Sequence, residues 1–568
     1  MSDLLNKASL VVIPSGYKED TVYSVVPSDG SGDLSFTRAS NGTRINSAGL
    51  VEVVPWNLFG YSEDFSNGYW TNSLGTITAN VINAPNGTLT ADLFTKTSAV
   101  NTVSQVRSPV GVYSQTGIYT LSVYAKQNVG NLLLLRLDND NNTANAQWDF
   151  STKSFTNSGA NIISSSFEEL SNGWFRLIVT GNVTSTTWTF SIANLFFNPT
   201  NDSVYIWGAQ LNIGSTAKPY FPTTDRLNVP RLTYQNGGGG CPSLLLEKQS
   251  TNGLYPSEDF STTWNLFNSA TITTNQATSP DGTQNADKLT TANSANALYN
   301  VNDAGSSAGD YTASIFVKPI NNNSLGLGMT NDTTGEAFVL INVATGVGTT
   351  TSQTGWSNAT YTWQQHANGW YRITITATKG SSGAARFILK GNSSSDYYIW
   401  GAQIEASSYP TSYIPTTSSS ATRVADAVPS KSTLLADKNN YSMFLDFYPR
   451  PTATFSYFFI QKNSSDSAEI IWGGTSDYLG FSIYDYTVSQ TVWTGNINDN
   501  NRHKICLSVA SGKIDLFVDG VQVVTQKSTS QTGFYLVAMD GGPGVYKINE
   551  MVILPKITST EAIALTTI

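Results

Sequence analysis

The chain of 568 residues contains two copies of one long segment, and this duplication constrains the fold more than any other feature. The copies are offset by about 195 residues, and a domain-sized repeat of this kind predicts homologous domains, because solenoid repeats are much shorter. The matching stretches keep one order: 62–66 with 257–261 (both SEDFS), 85–92 with 280–287, 117–126 with 309–318, 172–176 with 368–372, and 205–210 with 398–403.

Each copy alternates apolar and polar residues with the period of a β-strand. Tyr119, Leu121 and Val123 would share one face of such a strand, and the second copy keeps the same register. Asn-Gly and Asp-Gly pairs, which favour tight turns, separate the apolar runs. The pattern predicts that 56–224 and 253–417 are two antiparallel β-sandwiches of jelly-roll type.

Four further segments complete the predicted organisation. An extended N-terminal segment, 1–55, comes before the first copy. The connector 225–252 holds four consecutive glycines, which predict a flexible joint, and 418–434 has the composition of a second linker. Residues 435–568 form a different β module that ends in the one short helix we expect. The fold prediction is an all-β chain of three antiparallel β-sandwiches in series after the N-terminal segment.

Composition excludes several classes of function. Charged residues make up 12% of the chain, the formal charge is −9, and no basic stripe appears, so we expect no nucleic-acid partner. No apolar run is long enough for membrane insertion, and the N-terminus lacks the pattern of a signal peptide. Cys241 and Cys506 lie far apart, which predicts no disulfide and suits synthesis in the cytoplasm of a host cell.

Three stretches in combination resemble a known group of proteins: 13–54, which begins IPSGYKED; the connector with LNVPRLTY and CPSLLLEKQSTNGLYPSEDFS; and YIWGAQIEASSYPTSYIPTT at 398–417. They resemble modular structural proteins of tailed bacteriophages, especially crAss-like phages of gut Bacteroidetes. The resemblance implies that the copies are similar to carbohydrate-binding-module jelly rolls. It also implies that 435–568 is similar to concanavalin A-like, laminin-G-like lectin domains, and that the first copy is inserted between Val51 and Asn228.

This resemblance and the missing signal peptide favour a location on the virion. We expect a non-enzymatic phage structural protein, a head fibre or capsid decoration that presents glycan-binding domains for adhesion to the host or to mucus. The N-terminal segment 1–55 would bind the capsid or other virion proteins, and copies of the chain would associate as a homodimer or homotrimer. Cell-surface or mucin glycans would be the remaining partners. The alternatives are a tail fibre or receptor-binding protein, a glycan depolymerase, and sandwiches that serve as spacers.

Aromatic residues are the candidate sugar platforms, because a pyranose stacks its apolar face on a ring while Asn, Gln and Asp bind its hydroxyls. Some candidates lie in the two copies and have no evident aromatic match in the other copy, and the others lie close together in the sequence of the last domain. The alternative for each is ordinary packing in a core or an interface. The candidates are Trp148, Trp188, Trp356, Trp363, Trp472, Tyr484 and Trp493.

The chain offers few groups for catalysis or for metal binding. Its two histidines, His366 and His503, lie in different predicted domains, and no Glu-x-Asp occurs on which a lectin-like glycosidase could be built. No cofactor is required by this inventory. The acidic pairs of the two SEDFS motifs could hold a structural Ca²⁺ ion, although one acidic pair supplies few ligands and a solvated turn is the alternative. Those residues are Glu63, Asp64, Glu258 and Asp259.

Overall fold

The computed structural model describes the backbone of residues 2–568 apart from a set of short segments. Those segments are 111, 113–115, 138–143, 186, 293–295, 301, 303, 332–334, 353–354, 381–382, 393, 432–439, 450–455, 462–466, 473–478, 486–487, 496–500, 529–535 and 540–545. For 2–3, 296, 429–431, 527–528, 546 and the strands between 456 and 495 and between 536 and 539, the backbone alone is described.

The chain divides into two compact units. The inserted unit is continuous, Pro55–Arg226, and the main unit combines Met1–Val54 with Leu227–Ile568. The inserted unit contains the first copy of the repeat. It lies in the interval between Val51 and Asn228 where the resemblance implies an insertion.

The elements of the N-terminal segment are α1 (Ser2–Leu5), β1 (Leu10–Val12), β2 (Tyr17–Lys18), β3 (Thr21–Val22), β4 (Leu34–Ser35), β5 (Gly42–Ile45) and β6 (Val51–Val54). Those of the inserted unit are β7 (Thr71–Ser73), β8 (Gly75–Ile82), β9 (Ala91–Lys96), β10 (Gln105–Arg107), β11 (Gly117–Val129), β12 (Leu132–Arg136), β13 (Asn145–Asp149), β14 (Ser154–Ser158), β15 (Ile162–Glu169), β16 (Trp174–Val183), β17 (Ser191–Asn194) and β18 (Ser203–Ile213).

The connector holds β19 (Leu232–Thr233), β20 (Ser243–Leu246) and β21 (Ser250–Asn252). The second copy holds β22 (Trp264–Leu266), β23 (Thr271–Ala277), β24 (Ala286–Thr291), β25 (Asn296–Asn300), β26 (Gly309–Pro319), β27 (Ser324–Thr330), β28 (Glu336–Asn342), β29 (Gly348–Ser352), β30 (Trp356–Gln365), β31 (Tyr371–Lys379), β32 (Arg386–Lys390) and β33 (Ser395–Glu405).

The rest of the chain holds β34 (Ala421–Arg423), β35 (Val428–Lys431), β36 (Asn440–Tyr448), β37 (Ser456–Gln461), β38 (Ser467–Trp472), β39 (Leu479–Asp485), β40 (Val488–Gly495), β41 (His503–Ala510), β42 (Lys513–Val518), β43 (Val521–Ser528), β44 (Leu536–Met539), β45 (Tyr546–Pro555) and α2 (Ser559–Thr566). The prediction of an all-β chain of antiparallel sandwiches is confirmed.

The two copies of the repeat have the same topology. In the inserted unit one sheet has the strand order β14-β13-β12-β17-β10-β7 and the other β15-β16-β11-β18-β9-β8. In the second copy the orders are β29-β28-β27-β32-β25-β22 and β30-β31-β26-β33-β24-β23, so each strand has a counterpart at the same place. We call the first sheet of each pair the front sheet and the second the back sheet.

Alternation along the strands fills each core as the sequence predicts. In β11, Leu121 and Val123 are fully buried between the sheets, and Ala313 and Ile315 occupy the same places in β26. The Asn-Gly pairs before β16 and β31 form tight turns in which Asn172 takes a left-handed φ of 60°. An asparagine tolerates this conformation better than most residues do.

The third sandwich has a large sheet, β19-β20-β45-β36-β41-β42-β43, with β1 paired to β45, and a second sheet, β35-β44-β37-β38-β39-β40. The predicted C-terminal helix is present as α2, which begins with a capping box between Thr558 and Glu561. Its residues Ala562 and Leu565 pack on the outward side of the large sheet. A second short helix, α1, lies at the other end of the described chain.

The N-terminal segment corrects the expectation of an extended arm. Strand β1 pairs with β45, with Leu10 opposite Ile553, and Phe36 is fully buried in the core of the third sandwich. Hairpin β5–β6 packs on the second sandwich through Val51. Residues 1–54 are therefore a structural part of the main unit.

The connector and the linker meet the N-terminal segment at a buried ionic cluster. Arg38 Nη1 lies 2.9 Å from Asp426 Oδ1, and Arg231 contacts both Asp426 and Glu247. Arg423 Nη1 lies 2.6 Å from the same carboxylate of Glu247. None of the five side chains is more than 3% exposed. The cluster joins three segments that the sequence presents as an arm and two linkers.

The glycine run of the connector is not the flexible joint that the sequence predicts. Gly238 donates from its backbone to Gln235 O, and Gly239 donates to Ser47 O in the β5–β6 turn, each at 2.8 to 2.9 Å. A Cβ atom at Gly238 would lie 2.7 Å from the backbone of Gly49, and its φ of +85° also favours glycine. The glycines allow this close approach between two turns.

Candidate functional site

The outward side of the front sheet in the second sandwich has an unusual composition. Across the six strands of this sheet, one row of residues faces away from the core. That row runs Asn265, Tyr299, Ile388, Gly328, Phe338 and Thr351. Outward residues of a two-sheet sandwich are usually small or charged, so two rings in one row need an explanation. We call this surface the aromatic front face.

Two glycines of β27 form the floor on which one ring lies. Gly326 and Gly328 are cross-strand neighbours of β28, which carries Phe338. A Cβ atom at Gly326 would overlap the Phe338 ring, and one at Gly328 would lie 3.4 Å from it. The ring therefore lies over the bare strand because both positions lack side chains.

An ion pair borders the ring of Phe338. Lys390 Nζ lies 2.5 and 2.6 Å from the two carboxylate oxygens of Glu336, and 4.6 Å from the ring centroid. Both charged side chains are 18% exposed, so water still reaches the pair. Lys390 thus lies over the Phe338 ring in a cation–π contact, and Glu336 pairs with it there.

A second aromatic group lies toward the other end of the row. Arg386 Nη1 donates to the hydroxyl of Tyr299 at 3.0 Å. The Phe267 ring is 45% exposed and stands edge-on to Tyr299 with centroids 6.3 Å apart. The half-buried side chains of the aromatic front face therefore offer two ring surfaces separated by Ile388 and the glycine floor.

The inserted unit has different chemistry at the same places. Its corresponding outward row holds Arg107, Ser191, Arg136 and Asn145. Arg136 Nε donates to Asn145 Oδ1 at 2.9 Å, and both side chains are 6% exposed. The two copies thus share cores and topology but differ on the outward side of the front sheet, where folding alone dictates least.

Three of the predicted platforms are buried in sandwich cores. Trp148 is fully buried among four phenylalanine rings, and Trp188 and Trp356 are 7% and 6% exposed. Because a sugar needs an open ring face, these positions favour the packing alternative over the platform. The period of two places a residue on one side of a strand, but it does not say which side is the core.

Trp363 is a half-buried edge residue with an aromatic counterpart, contrary to the expectation that it has none. It pairs across the sheet with Ile373 as Phe167 pairs with Leu177 in the inserted unit. Tyr371 stacks on its ring at 5.4 Å, and Nε1 donates to Val343 O at 2.6 Å. These contacts close the edge of the sandwich. Trp472, Tyr484 and Trp493 lie outside the residues whose side chains are described.

The glutamates of the two SEDFS motifs accept hydrogen bonds from tyrosines of the closing segments. Tyr220 donates to Glu63 Oε1 at 3.1 Å, and Tyr413 donates to Glu258 Oε1 at 2.9 Å. Burial raises the pKa of Glu63 above its usual value. Both glutamates therefore hold the closing segment of their sandwich against the turn that precedes its first strand.

The aspartates of the motifs form local turns. Asp64 Oδ1 accepts from the backbone and hydroxyl of Ser66, and Asp259 Oδ1 does the same with Ser261. Such Asx turns are common without any ion. Among the residues that the structure describes, no three His, Cys, Asp or Glu side chains are grouped so that they could hold a metal ion.

The aromatic front face is not among the sites that the sequence predicts. One signal was available: the alternation of glycine with apolar residues in SLGLGMT at 324–330, which leaves one side of a strand bare. Nothing in the sequence says which ring would lie over that strand, because Phe338 is brought there by strand pairing.

No protein-family model and no curated protein sequence matches the chain. Among solved structures, it is similar to domain 4 of a GH43 extracellular arabinanase from Geobacillus stearothermophilus in complex with arabinotriose, with 16% identity, 28% of this chain and 82% of that chain covered, and a TM-score of 0.21. It is also similar to the CBM22-1–CBM22-2 tandem domain of Paenibacillus barcinonensis Xyn10C (10% identity, 62% and 98% covered, TM-score 0.18). Domains LG4-5 of mouse laminin α1 match with 11% identity, 54% and 96% coverage and a TM-score of 0.16.

Within the described part of the chain, no helix combines the length and the apolar character needed to cross a bilayer.

Proposed function

We propose that this chain is a non-enzymatic glycan-binding protein carried on the particle of a tailed bacteriophage, and that the aromatic front face is one of its glycan sites. The observation that carries the proposal is the half-exposed pair of rings Phe267 and Tyr299 at one end of the row, beside the ion pair of Lys390 and Glu336 that lies over Phe338. A sugar presents both an apolar face and hydroxyl groups, and this site supplies a partner for each.

The charge of the site also suits a neutral ligand. Lys390 and Glu336 neutralise each other, and Arg386 is engaged with the Tyr299 hydroxyl. A sugar hydroxyl can donate a hydrogen bond to the carboxylate of Glu336 or accept one from Lys390. Because the hydroxyl is neutral, the ion pair stays balanced. Because Lys390 is paired with Glu336, an anionic ligand would meet no uncompensated cation over the Phe338 ring.

Hydrolysis of a glycosidic bond requires two carboxyl groups on either side of that bond. Among the described strands that form the aromatic front face, Glu336 is the single acidic residue, and its carboxylate is paired with Lys390. This composition supports binding rather than cleavage. A glycan depolymerase is the alternative from another class.

The location on a phage particle is supported by the resemblance of 13–54, 227–261 and 398–417 to phage structural proteins. A head fibre or capsid decoration is the form we favour over a tail fibre, with a homodimer or homotrimer increasing the avidity of weak glycan sites. Immunogold electron microscopy of purified particles tests it. Label on the capsid supports the proposal, and protein found free in lysate but absent from particles contradicts it.

A glycan array probed with the full chain tests the binding site. We expect Tyr299→Ala and Phe267→Ala each to weaken binding of the retained glycan about fivefold or more, because each removes a ring surface. The matched control is Phe197→Ala, which removes a ring that is 43% exposed on the inserted unit. Unchanged binding in both site variants contradicts the proposal.

A reducing-end assay on the same glycans separates binding from cleavage. We expect no sustained release of reducing ends by the wild-type chain. Turnover that Glu336→Gln abolishes would instead identify a depolymerase.

A further inference from the structure

Each copy of the repeat has an aromatic cluster on the outward side of its back sheet. In the second copy the cluster consists of Phe316, Trp370, Trp400 and Tyr413. In the inserted unit the matching residues are Tyr124, Trp174, Trp207 and Tyr220. Tyr124 pairs with Trp207 across the sheet as Phe316 pairs with Trp400, so the clusters are superimposable by register. We call them the covered and the open aromatic face.

The covered aromatic face is closed by hairpin β5–β6 of the same main unit. Val51 packs in the cluster, and Ile45 packs against it. Val51 N donates to Pro280 O at 2.9 Å, and Thr43 Oγ1 donates to Tyr413 O at 2.5 Å. The hairpin therefore adds aliphatic side chains and two hydrogen bonds to backbone carbonyls.

The burial of the rings follows this cover. Phe316 and Tyr413 are 1% and 3% exposed under the hairpin. Their counterparts on the open aromatic face, Tyr124 and Tyr220, are half-buried. The two tryptophans of the open face are already buried by their neighbours, so what the face lacks is the outer layer that the hairpin supplies.

The acceptors of the open aromatic face are also unoccupied within the inserted unit. No described residue of that unit donates to Pro85 O or to Tyr220 O, the counterparts of the two acceptors that bind the hairpin. The open face therefore keeps both the half-buried rings and the backbone acceptors that the hairpin engages on the covered face.

We propose that the open aromatic face binds a β-hairpin of a partner protein, with aliphatic side chains at the places of Ile45 and Val51. The hairpin would donate from its backbone to Pro85 O and cover Tyr124 and Tyr220, whose counterparts Phe316 and Tyr413 are buried under β5–β6. A second copy of this chain is a poorer occupant, because each chain has one such hairpin and holds it in its own second sandwich. The proposal is independent of the glycan site, since it concerns the other sheet of the other copy.

The probe is a fluorescent peptide with the sequence of residues 42–54, titrated against the full chain and followed by fluorescence anisotropy. We expect saturable binding. Tyr124→Ser should weaken it about tenfold or more, because it removes a ring whose counterpart Phe316 is buried under the hairpin. Circular dichroism checks that this variant keeps its fold, since Tyr124 lies on the outward side of the sheet and not in the sandwich core.

Two matched controls decide the outcome. Phe197→Ser removes a ring elsewhere on the inserted unit and should leave peptide binding unchanged. A peptide in which the residues of positions 45 and 51 are replaced by serine should bind no better than a scrambled one. Absence of binding by the 42–54 peptide, or equal binding by a folded Tyr124→Ser chain, overturns the proposal. Self-association in sedimentation that Tyr124→Ser abolishes would also overturn it, because the occupant would then be a second copy.

Discussion

Five buried charges hold the main unit together at the level of single side chains. Burial lowers the pKa of Arg38 to about 10, against the opposing effect of Asp426, so the guanidinium remains charged at neutral pH. Burial opposes ionisation of Glu247, but Arg423 and Arg231 outweigh it and hold the pKa of this carboxyl well below its usual range. Each buried side chain therefore depends on its oppositely charged partners to remain ionised.

Replacing Asp426 by Asn should destabilise the main unit by about 3 to 5 kcal/mol, because Arg38 and Arg231 lose their shared counter-charge in a fully buried site. Urea unfolding followed by circular dichroism measures the change. The control is Glu169→Gln, which breaks a pair with Lys153 that is about half exposed and should cost less than about 1 kcal/mol. Equal effects of the two variants would contradict this account.

Strand ends in the two jelly rolls are fastened by the SEDFS motif. In the second copy the Tyr413 hydroxyl bonds both Ser257 Oγ, at 2.6 Å, and Glu258. The next residue but one, Phe260, fills the core, and its backbone N–H donates to Asp287 at 2.9 Å. The duplicated motif thus joins the first strand region of a sandwich to its closing segment.

Removing the hydroxyl in Tyr413→Phe should destabilise the second sandwich by about 1 to 3 kcal/mol, since it leaves Glu258 and Ser257 with fewer partners in a buried site. Tyr220→Phe, the matched change in the inserted unit, should cost less because Tyr220 is half-buried. Thermal unfolding of both variants tests the order. A larger effect of Tyr220→Phe would show that burial does not set the cost.

Sequence alternation and turn residues predict these elements well, because both act locally. Leu121 and Ile315 lie in the cores as their period requires, and Asn172 turns the chain as expected. The contacts that decide the sites are not local. Trp148 lies toward the core and Phe338 away from it, and the two are distinguished by strand order, which the sequence alone does not contain.

The N-terminal segment shows the same limit over a longer range. Strand β1 is three residues long, and its partner β45 is more than 500 residues away. The β-strand propensity of three residues carries little information, so the pairing of β1 with β45 was not predictable from the sequence. The N-terminal segment was therefore expected to be an extended arm. The duplication, in contrast, predicts two sandwiches of the same topology, because similar sequences fold alike and the similarity is visible without any knowledge of which residues are in contact.

At the scale of the whole molecule, both ends of the insertion meet. Within the inserted unit Arg226 Nε donates to Asn57 O at 2.8 Å. Within the main unit Arg38 contacts Val54 O at 3.5 Å and Asn228 Oδ1 at 2.8 Å. The main unit is therefore built around a junction that brings Val54 close to Asn228.

Replacing residues 55–226 with a short Gly-Ser linker should leave the main unit folded, because its cores and its ionic cluster contain no residue of the insertion. We expect the unfolding temperature of the main unit to match that of the corresponding transition in the intact chain. An insoluble or unfolded product would show that the insertion supports the main unit.

A junction of this geometry has an evolutionary consequence. Two genetic crossovers, one after Val54 and one before Leu227, suffice to exchange the inserted unit for another module whose termini lie close together. The strand pairings of the main unit stay intact in such an exchange. Recombination between genes can therefore replace this module in one step, without point mutations that remodel the scaffold of the main unit.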